Sequence, residues 1–310
     1  MSEAAVPGSG GSSGSGGSVD DLYQLRPDLP DMVSPVLVMA PEGWIDAGLG
    51  GGAAIAALLS EISTELVATF NSDELLDHRA RRPVARIVDG VYDDVLWPEI
   101  QLRAGKDAEG NDVLVLAGPE PDHRWRGFAE AVGSVAQQLG VRMLVGMGAF
   151  PAPVPHTRAG KIVATATSAE LANQVGVVRG NLDVPAGIVV AIQRRFADLG
   201  IPALALWAQV PHYAAALPYP EASVQLLEGL AKVSGITVNT ASLREAAEAT
   251  RQRLDELTAN SIEHLTLVRQ LEAQVDADQP DDLVSGGLAN LPSSEELAAE
   301  VERFLREQSE

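Results

Sequence analysis

Four short polar clusters along this chain combine side-chain types that move protons and bind anions. They contain the candidate ligand or cleft residues, which are Trp44, Asp46, Gly48, Asp122, Arg124, Trp125, His156, Thr157, Arg158, His212 and Tyr213. An imidazole exchanges protons near neutral pH, and a guanidinium holds a carboxylate or phosphate with a rigid fork of donors. Each cluster follows an apolar run, and ligand sites of open α/β sheets form at the carboxyl ends of strands. We therefore expect the clusters on one rim of one sheet.

The chemistry of these clusters has two interpretations. Asp46 paired with a histidine would serve as a general base, and the segment 155–158 (PHTR) would grip a carboxylate or phosphate. The same segment would equally hold a loop in place by capping backbone carbonyls. The nucleophile elbow G-x-S-x-G is absent from the sequence, so no serine nucleophile is predicted.

The glycine-rich turn between residues 48 and 53 also has two interpretations. It matches the dinucleotide-binding pattern G-x-G-x-x-A, and Asp73 follows at the distance of a ribose-binding acid. The pattern requires its first glycine directly after a strand, however, whereas seven residues separate Ala40 from Gly48. No Lys-Ser/Thr pair follows, which excludes the P-loop pattern. The alternative is that missing side chains let a helix pack closely on a strand.

Composition excludes several kinds of partner. The chain has no cysteine, and its five histidines lack the spacing of metal ligands, so neither a metal site nor a cofactor is predicted. A net charge of −21 disfavours nucleic acid and anionic membrane surfaces. We find neither a signal-peptide pattern nor an apolar run of membrane-spanning length. The prediction is a cytoplasmic protein with no nucleic-acid or membrane partner.

Alternating strand and helix patterns predict the elements that position the clusters. Apolar runs at 36–40 and 112–117 are typical of buried strands, and apolar spacing at 128–139 and 187–199 predicts helices that end at glycines. Further strands are predicted at 65–70, 84–88, 100–103, 143–147, 162–167 and 203–208. This order favours an α/β fold in which a mostly parallel wound sheet carries helices on both faces.

The chain divides into five predicted segments. Beyond the core, a long helical region contains one continuous helix at 243–275, and Ser293 with Glu296 forms a capping box that opens a last helix. The segments are a flexible Gly/Ser-rich tail at 1–31, an α/β core at 32–238, the long helical region at 239–278, a linker at 279–292 and a short amphipathic helix at 293–310.

Several ordered motifs carry a family resemblance. They are GWIDAG at 43–48, the pairs Arg82-Pro83 and Trp97-Pro98, EPD at 120–122 with Trp125, PHTR at 155–158 and VPHY at 210–213. In this order they resemble the actinobacterial branch of the PAC2 family, the proteasome assembly chaperone 2-like group, over roughly residues 32–275. The resemblance implies a core similar to that of nucleoside phosphorylases, a helical C-terminal portion, homo-oligomerisation and the handling of proteasome core particles. It supplies no established catalytic residue.

Two functions follow. The first, which we favour, is a non-enzymatic oligomer that acts as a proteasome assembly chaperone or adaptor. Its expected partners are further copies of itself, in a trimer, and proteasome core particle subunits. Family members that dock on the proteasome end in hydrophobic-Tyr-X, whereas this sequence ends REQSE, so the resemblance does not carry over that docking tail. The second is an enzyme or small-molecule binder that takes a nucleoside, a nucleotide or another anionic ligand in the strand-end cleft. Arg158 and the glycine-rich turn would hold its anionic group, and Asp46 or His156 would serve as acid or base.

Overall fold

The computed structural model describes residues 19–43, 45–177 and 180–277. Its strands are β1 Tyr23–Leu25, β2 Val36–Met39, β3 Thr64–Phe70, β4 Val84–Val88, β5 Val91–Leu96, β6 Ile100–Lys106, β7 Asp112–Ala117, β8 Met143–Ala152, β9 Ile162–Ala166 and β10 Ala203–Pro211. Its helices are α1 Gly50–Glu61, α2 Ser72–Leu75, α3 Trp125–Gln138, α4 Ala169–Asn173, α5 Ile188–Asp198, α6 Pro220–Ser234, α7 Ala241–Ala259 and α8 Ile262–Ala277.

Eight strands form one wound sheet in the order β1-β3-β6-β7-β2-β8-β10-β9. The three central pairings, β7 with β2, β2 with β8 and β8 with β10, are parallel. The outer pairings are antiparallel, so β1, β6 and β9 run against the other five strands of the sheet. The prediction of a mostly parallel wound sheet is confirmed.

Helices cover both faces of this sheet. Alternate side chains of β2 point to opposite faces, so Leu37 and Met39 join one core cluster while Val36 and Val38 join the other. Helices α3 and α5 pack together over the first cluster. Helices α1 and α6 pack together over the second, and α7 lies against α6. Both faces being buried explains why the central strands are almost uninterrupted apolar runs.

The C-terminal region departs from the prediction of one helix at 243–275. The structure has two helices there, because α7 ends at the C-cap Asn260 and α8 begins at Ile262. The Ser261 hydroxyl accepts the backbone N–H of His264 at 3.3 Å, which caps the start of the second helix. The apolar steps continue across this break, so periodicity alone gave one helix. No helix in the described part of the chain is long and apolar enough to span a membrane.

The prediction of a flexible tail over residues 1–31 is wrong for the last part of that range. Residues Val19–Leu22 form a 3-10 turn, and β1 pairs with β3. Leu22 is fully buried in the same core cluster as Phe70 and Phe128, and this burial fixes the segment. Residues 1–18, the predicted linker and the predicted final helix lie outside the described residues.

Candidate functional site

The predicted clusters follow four strands that are neighbours in the sheet. The order β7-β2-β8-β10 is parallel throughout, so all four strands end at the same rim. The segment after β2 carries Asp46 and Gly48, and the segment after β7 carries the 122–125 cluster. The segments after β8 and β10 carry the 156–158 and 212–213 clusters. Trp44 lies outside the described residues.

Asp46 binds the start of helix α1. Its Oδ1 accepts the backbone N–H of Gly51 at 2.7 Å, and its Oδ2 accepts that of Gly52 at 2.9 Å. Burial raises the pKa of Asp46, and the two amide hydrogen bonds act in the opposite direction. The carboxylate thus takes two of the first-turn N–H groups that would otherwise be available to an external anion.

Gly48 joins the turn after β2 to the segment after β10. Its N–H donates to the carbonyl of Ala215 at 2.7 Å, and its carbonyl accepts the N–H of Tyr219 at 2.8 Å. Its φ is +64°, and a Cβ added there would lie 2.6 Å from the Cβ of Tyr219. The glycine is therefore required by backbone conformation and by close packing together.

The cluster after β7 holds the segment that follows β3. The carboxylate of Asp122 accepts the backbone N–H of Asp77 at 2.8 Å and a guanidinium hydrogen bond from Arg81. Burial acts to raise the pKa of Asp122, but the bonds from Arg81 and Asp77 outweigh it and hold the pKa below its usual range. Arg124 donates to Glu74 Oε2 at 2.8 Å. Both side chains therefore fasten the region around α2.

The neighbouring residues of this loop bind α3 and α5. Trp125 Nε1 donates to the carbonyl of Pro121 at 2.5 Å across the first turn of α3. Glu120 Oε1 accepts the backbone N–H of Ile188 at 2.5 Å and so caps the start of α5 from a distant part of the chain. The backbone N–H of Glu120 also donates to the carbonyl of Glu42 at 2.8 Å, which joins the loops after β7 and β2.

His156 forms a buried chain of hydrogen bonds between the sheet rim and α7. Its backbone N–H and its Nδ1 lie 2.8 and 2.7 Å from the hydroxyl oxygen of Tyr213. Its Nε2 lies 3.2 Å from Asp255 Oδ1, and the imidazole side chain is fully buried. This set of distances fits an imidazole that accepts from the tyrosine and donates to the aspartate. Burial, followed by the nearby acids Glu272 and Asp255, raises the pKa of Tyr213 to about 12.

Thr157 and Arg158 bind α8. The Thr157 hydroxyl donates to Glu272 Oε1 at 2.6 Å, and Arg158 Nη1 donates to the same oxygen at 3.1 Å. Arg158 also grips Asp276 with two parallel hydrogen bonds, from Nε at 2.9 Å and from Nη2 at 2.8 Å. The bond to Asp276 is the main cause that raises the pKa of Arg158. The guanidinium fork is thus used on helix carboxylates.

His212 differs from the other members of the rim. Its Nδ1 is buried and has no hydrogen-bond partner in the described part of the chain. Its ring meets the ring of Tyr213 edge to face, with centroids 5.4 Å apart. Tyr213 thus contacts both histidines, His156 through its hydroxyl and His212 through its ring.

The rim residues do not converge on one open cleft. Asp46, His156 and Arg158 each bond to a different part of the same chain: the start of α1, the pair Tyr213 and Asp255, and α8. An apolar void under α3, lined by residues such as Leu114 and Val135, has room for about one water molecule and contains none of these three residues in its lining. No three metal-binding side chains of the described residues lie close enough together to hold an ion.

The comparisons with known proteins decide the family. The sequence profile of the PAC2 family matches residues 40–258 of the 310-residue chain. The chain belongs to the PAC2 family. The resemblance carried by the sequence motifs is therefore confirmed, and the match of this PAC2 protein extends from the end of β2 into α7. A search of curated proteins gave no match.

Three solved structures similar to this PAC2 protein come from Corynebacterium and Mycobacterium. A Corynebacterium glutamicum protein of unknown function is 29% identical, with 85% of this chain and 100% of that chain covered and a TM-score of 0.80. A Mycobacterium tuberculosis protein of unknown function is 37% identical, with 83% and 91% covered and a TM-score of 0.77. A Mycobacterium tuberculosis proteasome-assembly chaperone homologue is 34% identical, with 75% and 99% covered and a TM-score of 0.70.

The partners of the rim residues in this PAC2 protein could not be predicted from its sequence. Asp255, Glu272 and Asp276 lie in charged helices, where a carboxylate is usually solvated, and they are about a hundred positions from the residues they bind. Glu120 was visible only as part of the EPD motif. The available signal is an arginine or histidine in a proline-rich loop together with an acidic helix downstream. This signal does not show which carboxylate of the helix pairs with which residue of the loop.

Proposed function

We propose that this PAC2 protein is a non-enzymatic, self-associating cytoplasmic protein that binds proteasome core particle subunits and acts as an assembly chaperone or adaptor. The observation that carries the proposal is its similarity to the Mycobacterium tuberculosis proteasome-assembly chaperone homologue, at 34% identity over nearly all of that chain. Because the likeness extends to the fold, with a TM-score of 0.70, the two proteins present comparable scaffolds.

The use of the rim residues supports a binding protein over an enzyme. A general base must be within reach of a substrate proton, and an anion-binding arginine must present its fork to a ligand. Here Asp46 bonds to α1 and Arg158 bonds to Glu272 and Asp276 of α8. The groups that the enzyme interpretation requires are therefore already bonded to helices of the same chain, and this argues against that interpretation.

The net charge supports association with another protein. A charge of −21 creates a field that speeds encounter with a basic surface and makes the association rate fall as salt screens that field. The proposal thus requires that the bound face of the proteasome subunit carry lysine and arginine.

Sedimentation velocity with purified proteasome α-subunits from the organism that encodes this chain tests the proposal. We expect the full chain to shift the α-subunits to a faster boundary at low salt, and to do so less at high salt. An unrelated acidic protein of similar charge serves as the control for non-specific attraction. Unchanged boundaries with both α- and β-subunits would overturn the proteasome assignment.

A further inference from the structure

Helix α8 places two of its own carboxylates against the anion-binding groups of the loop after β8. Glu272 Oε1 accepts hydrogen bonds from the Thr157 hydroxyl at 2.6 Å and from Arg158 Nη1 at 3.1 Å. Asp276 lies one turn further along α8, and its two oxygens accept from Arg158 Nε at 2.9 Å and Nη2 at 2.8 Å. A guanidinium fork beside a hydroxyl is a donor set that suits phosphate and carboxylate ligands. The helix therefore occupies a place that also fits a free oxyanion.

The backbone that carries these donors is positioned by contacts that do not involve α8. The His156 backbone N–H donates to the hydroxyl of Tyr213 at 2.8 Å, which ties the loop to the segment after β10. The backbone N–H of Arg158 donates to the carbonyl of Pro155 at 3.5 Å. Three prolines between positions 151 and 155 restrict the chain that leads to this turn. A site whose backbone is fixed beforehand loses less entropy when a ligand binds.

The attachment of α8 allows it to leave the loop as a unit. Only Val268 and Leu271 of its 16 residues are buried, and its first residue, Ile262, is 85% exposed. The break at Asn260 separates α8 from α7 and provides a hinge. A segment with few buried apolar contacts opens at a smaller free-energy cost than unfolding of the whole domain. Opening of α8 frees both donors of the loop.

A buried polar atom beside this loop also lacks a partner. His212 Nδ1 is enclosed and makes no hydrogen bond within the described residues. The His212 ring contacts the ring of Tyr213, whose hydroxyl bonds to the His156 backbone. Enclosed polar atoms without a partner are uncommon in native structures, and a bound water or ligand is a frequent explanation. An unused nitrogen therefore lies near the loop, in addition to the donors that α8 occupies.

We propose that the loop after β8 is a binding site for a small oxyanion, either a phosphate ester or a dicarboxylate, and that α8 is a hinged lid that competes with this ligand. In the closed state Glu272 and Asp276 of the lid occupy Arg158. An oxyanion that bonds to Thr157 and Arg158 displaces these carboxylates and releases α8. The inference is independent of the proposed function and involves binding without a chemical reaction. By linkage, a change that weakens the lid strengthens oxyanion binding by the same factor.

Two properties of the closed state decide how the site is tested. A net charge of −21 repels a free anion at long range, and added salt screens this repulsion. Each titration is therefore made at one ionic strength, held constant with sodium chloride. The carboxylates of the lid are tethered next to the loop, so their effective concentration is high. The parent protein is for this reason expected to bind free anions weakly.

Removal of the competing charges tests the site in the full chain. Isothermal titration calorimetry with inorganic phosphate and with succinate measures the dissociation constants. Glu272→Gln combined with Asp276→Asn removes both charges of the lid and leaves the loop unchanged. This variant is expected to bind at least one of the two anions at least about fivefold more tightly than the parent, the lower end of typical coupling between sites.

A matched control separates this effect from the general loss of negative charge. Glu228→Gln combined with Asp198→Asn also removes two carboxylates that pair with exposed arginines, but these lie on α6 and α5. The control is expected to bind phosphate and succinate as weakly as the parent does. Adding Arg158→Gln to the lid variant removes the fork and is expected to abolish the gain. Circular dichroism checks that all variants remain folded.

Hydrogen exchange followed by mass spectrometry reports on the lid directly. Replacing sodium chloride by the anion that binds, at the same ionic strength, is expected to speed amide exchange in α8 of the parent. The strands of the sheet are expected to exchange as before, because they do not depend on the lid. In Arg158→Gln the anion is expected to add nothing to the exchange of α8.

The outcomes decide the inference without reference to proteasome binding. A gain in the lid variant that the control lacks, and that Arg158→Gln abolishes, supports the site and its lid. Tighter binding of phosphate then identifies a phosphate ester as the ligand chemistry, and tighter binding of succinate identifies a dicarboxylate. No binding of either anion to the lid variant, an equal gain in the control, or exchange of α8 that ignores the anion overturns the inference. Failure of the sedimentation test with proteasome subunits leaves it standing.

Discussion

At the scale of single residues, the polar side chains of the rim are used to hold the fold together. Asp46 illustrates the point, since its two oxygens take the N–H groups of Gly51 and Gly52 where a bound phosphate would sit. His156 and Arg158 likewise bind helix carboxylates. The residue types are those of a ligand site, but their partners belong to the same chain.

The first residue-level prediction concerns Gly48. An alanine there must adopt φ near +64° and place its Cβ 2.6 Å from that of Tyr219, so we expect Gly48→Ala to lower the free energy of unfolding by about 2–4 kcal/mol. Gly140→Ala is the matched control, because Gly140 has the same φ with nothing within 4 Å of the added Cβ, and should lose only about 1 kcal/mol. Urea denaturation measures both, and equal losses would contradict the packing argument.

The second residue-level prediction concerns pH. The pKa of Tyr213 rises from its ordinary value near 10 to about 12 in the folded protein, chiefly through burial. Between those two values the folded state binds more protons than the unfolded state, so the free energy of unfolding falls as pH increases. Tyr213→Phe lacks this group, and we expect a shallower fall between pH 10 and about pH 12, measured by urea denaturation.

Two further observations complete the pH test. Tyr219, whose pKa burial also raises, is present in both proteins, so the variant is expected to keep part of the fall. The variant should also lose about 1–2 kcal/mol at neutral pH, because His156 loses the hydroxyl that contacts both its backbone N–H and its Nδ1. Identical pH dependence of the free energy of unfolding in the two proteins would contradict the raised pKa of Tyr213.

Local capping was readable from the sequence, whereas long-range capping was not. Asn71 belongs to the residue types that cap helices, and its side chain accepts the N–H of Glu74 three positions on, at 3.4 Å. The caps from Asp46 and Glu120 reach across five or more positions, in the second case to a helix 68 residues away. Local spacing rules contain no information about such a contact.

At the scale of elements, the loop after β8 connects the sheet to the two C-terminal helices. Helix α8 buries only Val268 and Leu271, whereas α6 is buried along most of its length. Few apolar contacts leave α8 dependent on the polar bonds from Thr157 and Arg158. Polar bonds from the loop after β8 therefore add to the small apolar contact that holds α8.

The prediction at this scale is a local loosening of α8. Arg158→Gln removes the two parallel bonds to Asp276, so we expect faster amide hydrogen exchange in α8 with little change in the strands of the sheet. Arg194→Gln is the control, because it breaks an exposed ion pair with Asp198 on α5. Hydrogen exchange followed by mass spectrometry measures both variants. Unchanged exchange in α8, or equal acceleration across the core, would refute the role assigned to Arg158.

Elements were predictable where burial dictates an apolar run. The strand at 36–40 and its helical neighbour α1 follow from such runs, and β8 and β10 were found although each extends beyond its predicted end. Strand β5 was not predicted because its pairing with β4 identifies it as a strand, whereas its own sequence pattern does not. The break at Asn260 was missed because two successive helices share one apolar phase.

At the scale of the whole molecule, the fold and the family are established, and the proposed function depends on the molecular surface. The sheet order and the helices on both faces followed from the alternation of patterns along the chain. A net charge of −21 and the exposed, mostly apolar strands β4 and β5 are surface features that favour the proposed association with another protein. Which proteins it meets depends on their surfaces, which one sequence does not contain.

Proteasome assembly is the most direct measurement of the central claim. Purified α- and β-subunits from the organism that encodes this chain are mixed with and without the full chain, and core particles are followed over time on native gels. The account predicts faster appearance of complete particles and an early complex that contains this chain and then disappears. An identical time course, with this chain migrating apart from every subunit, would contradict it.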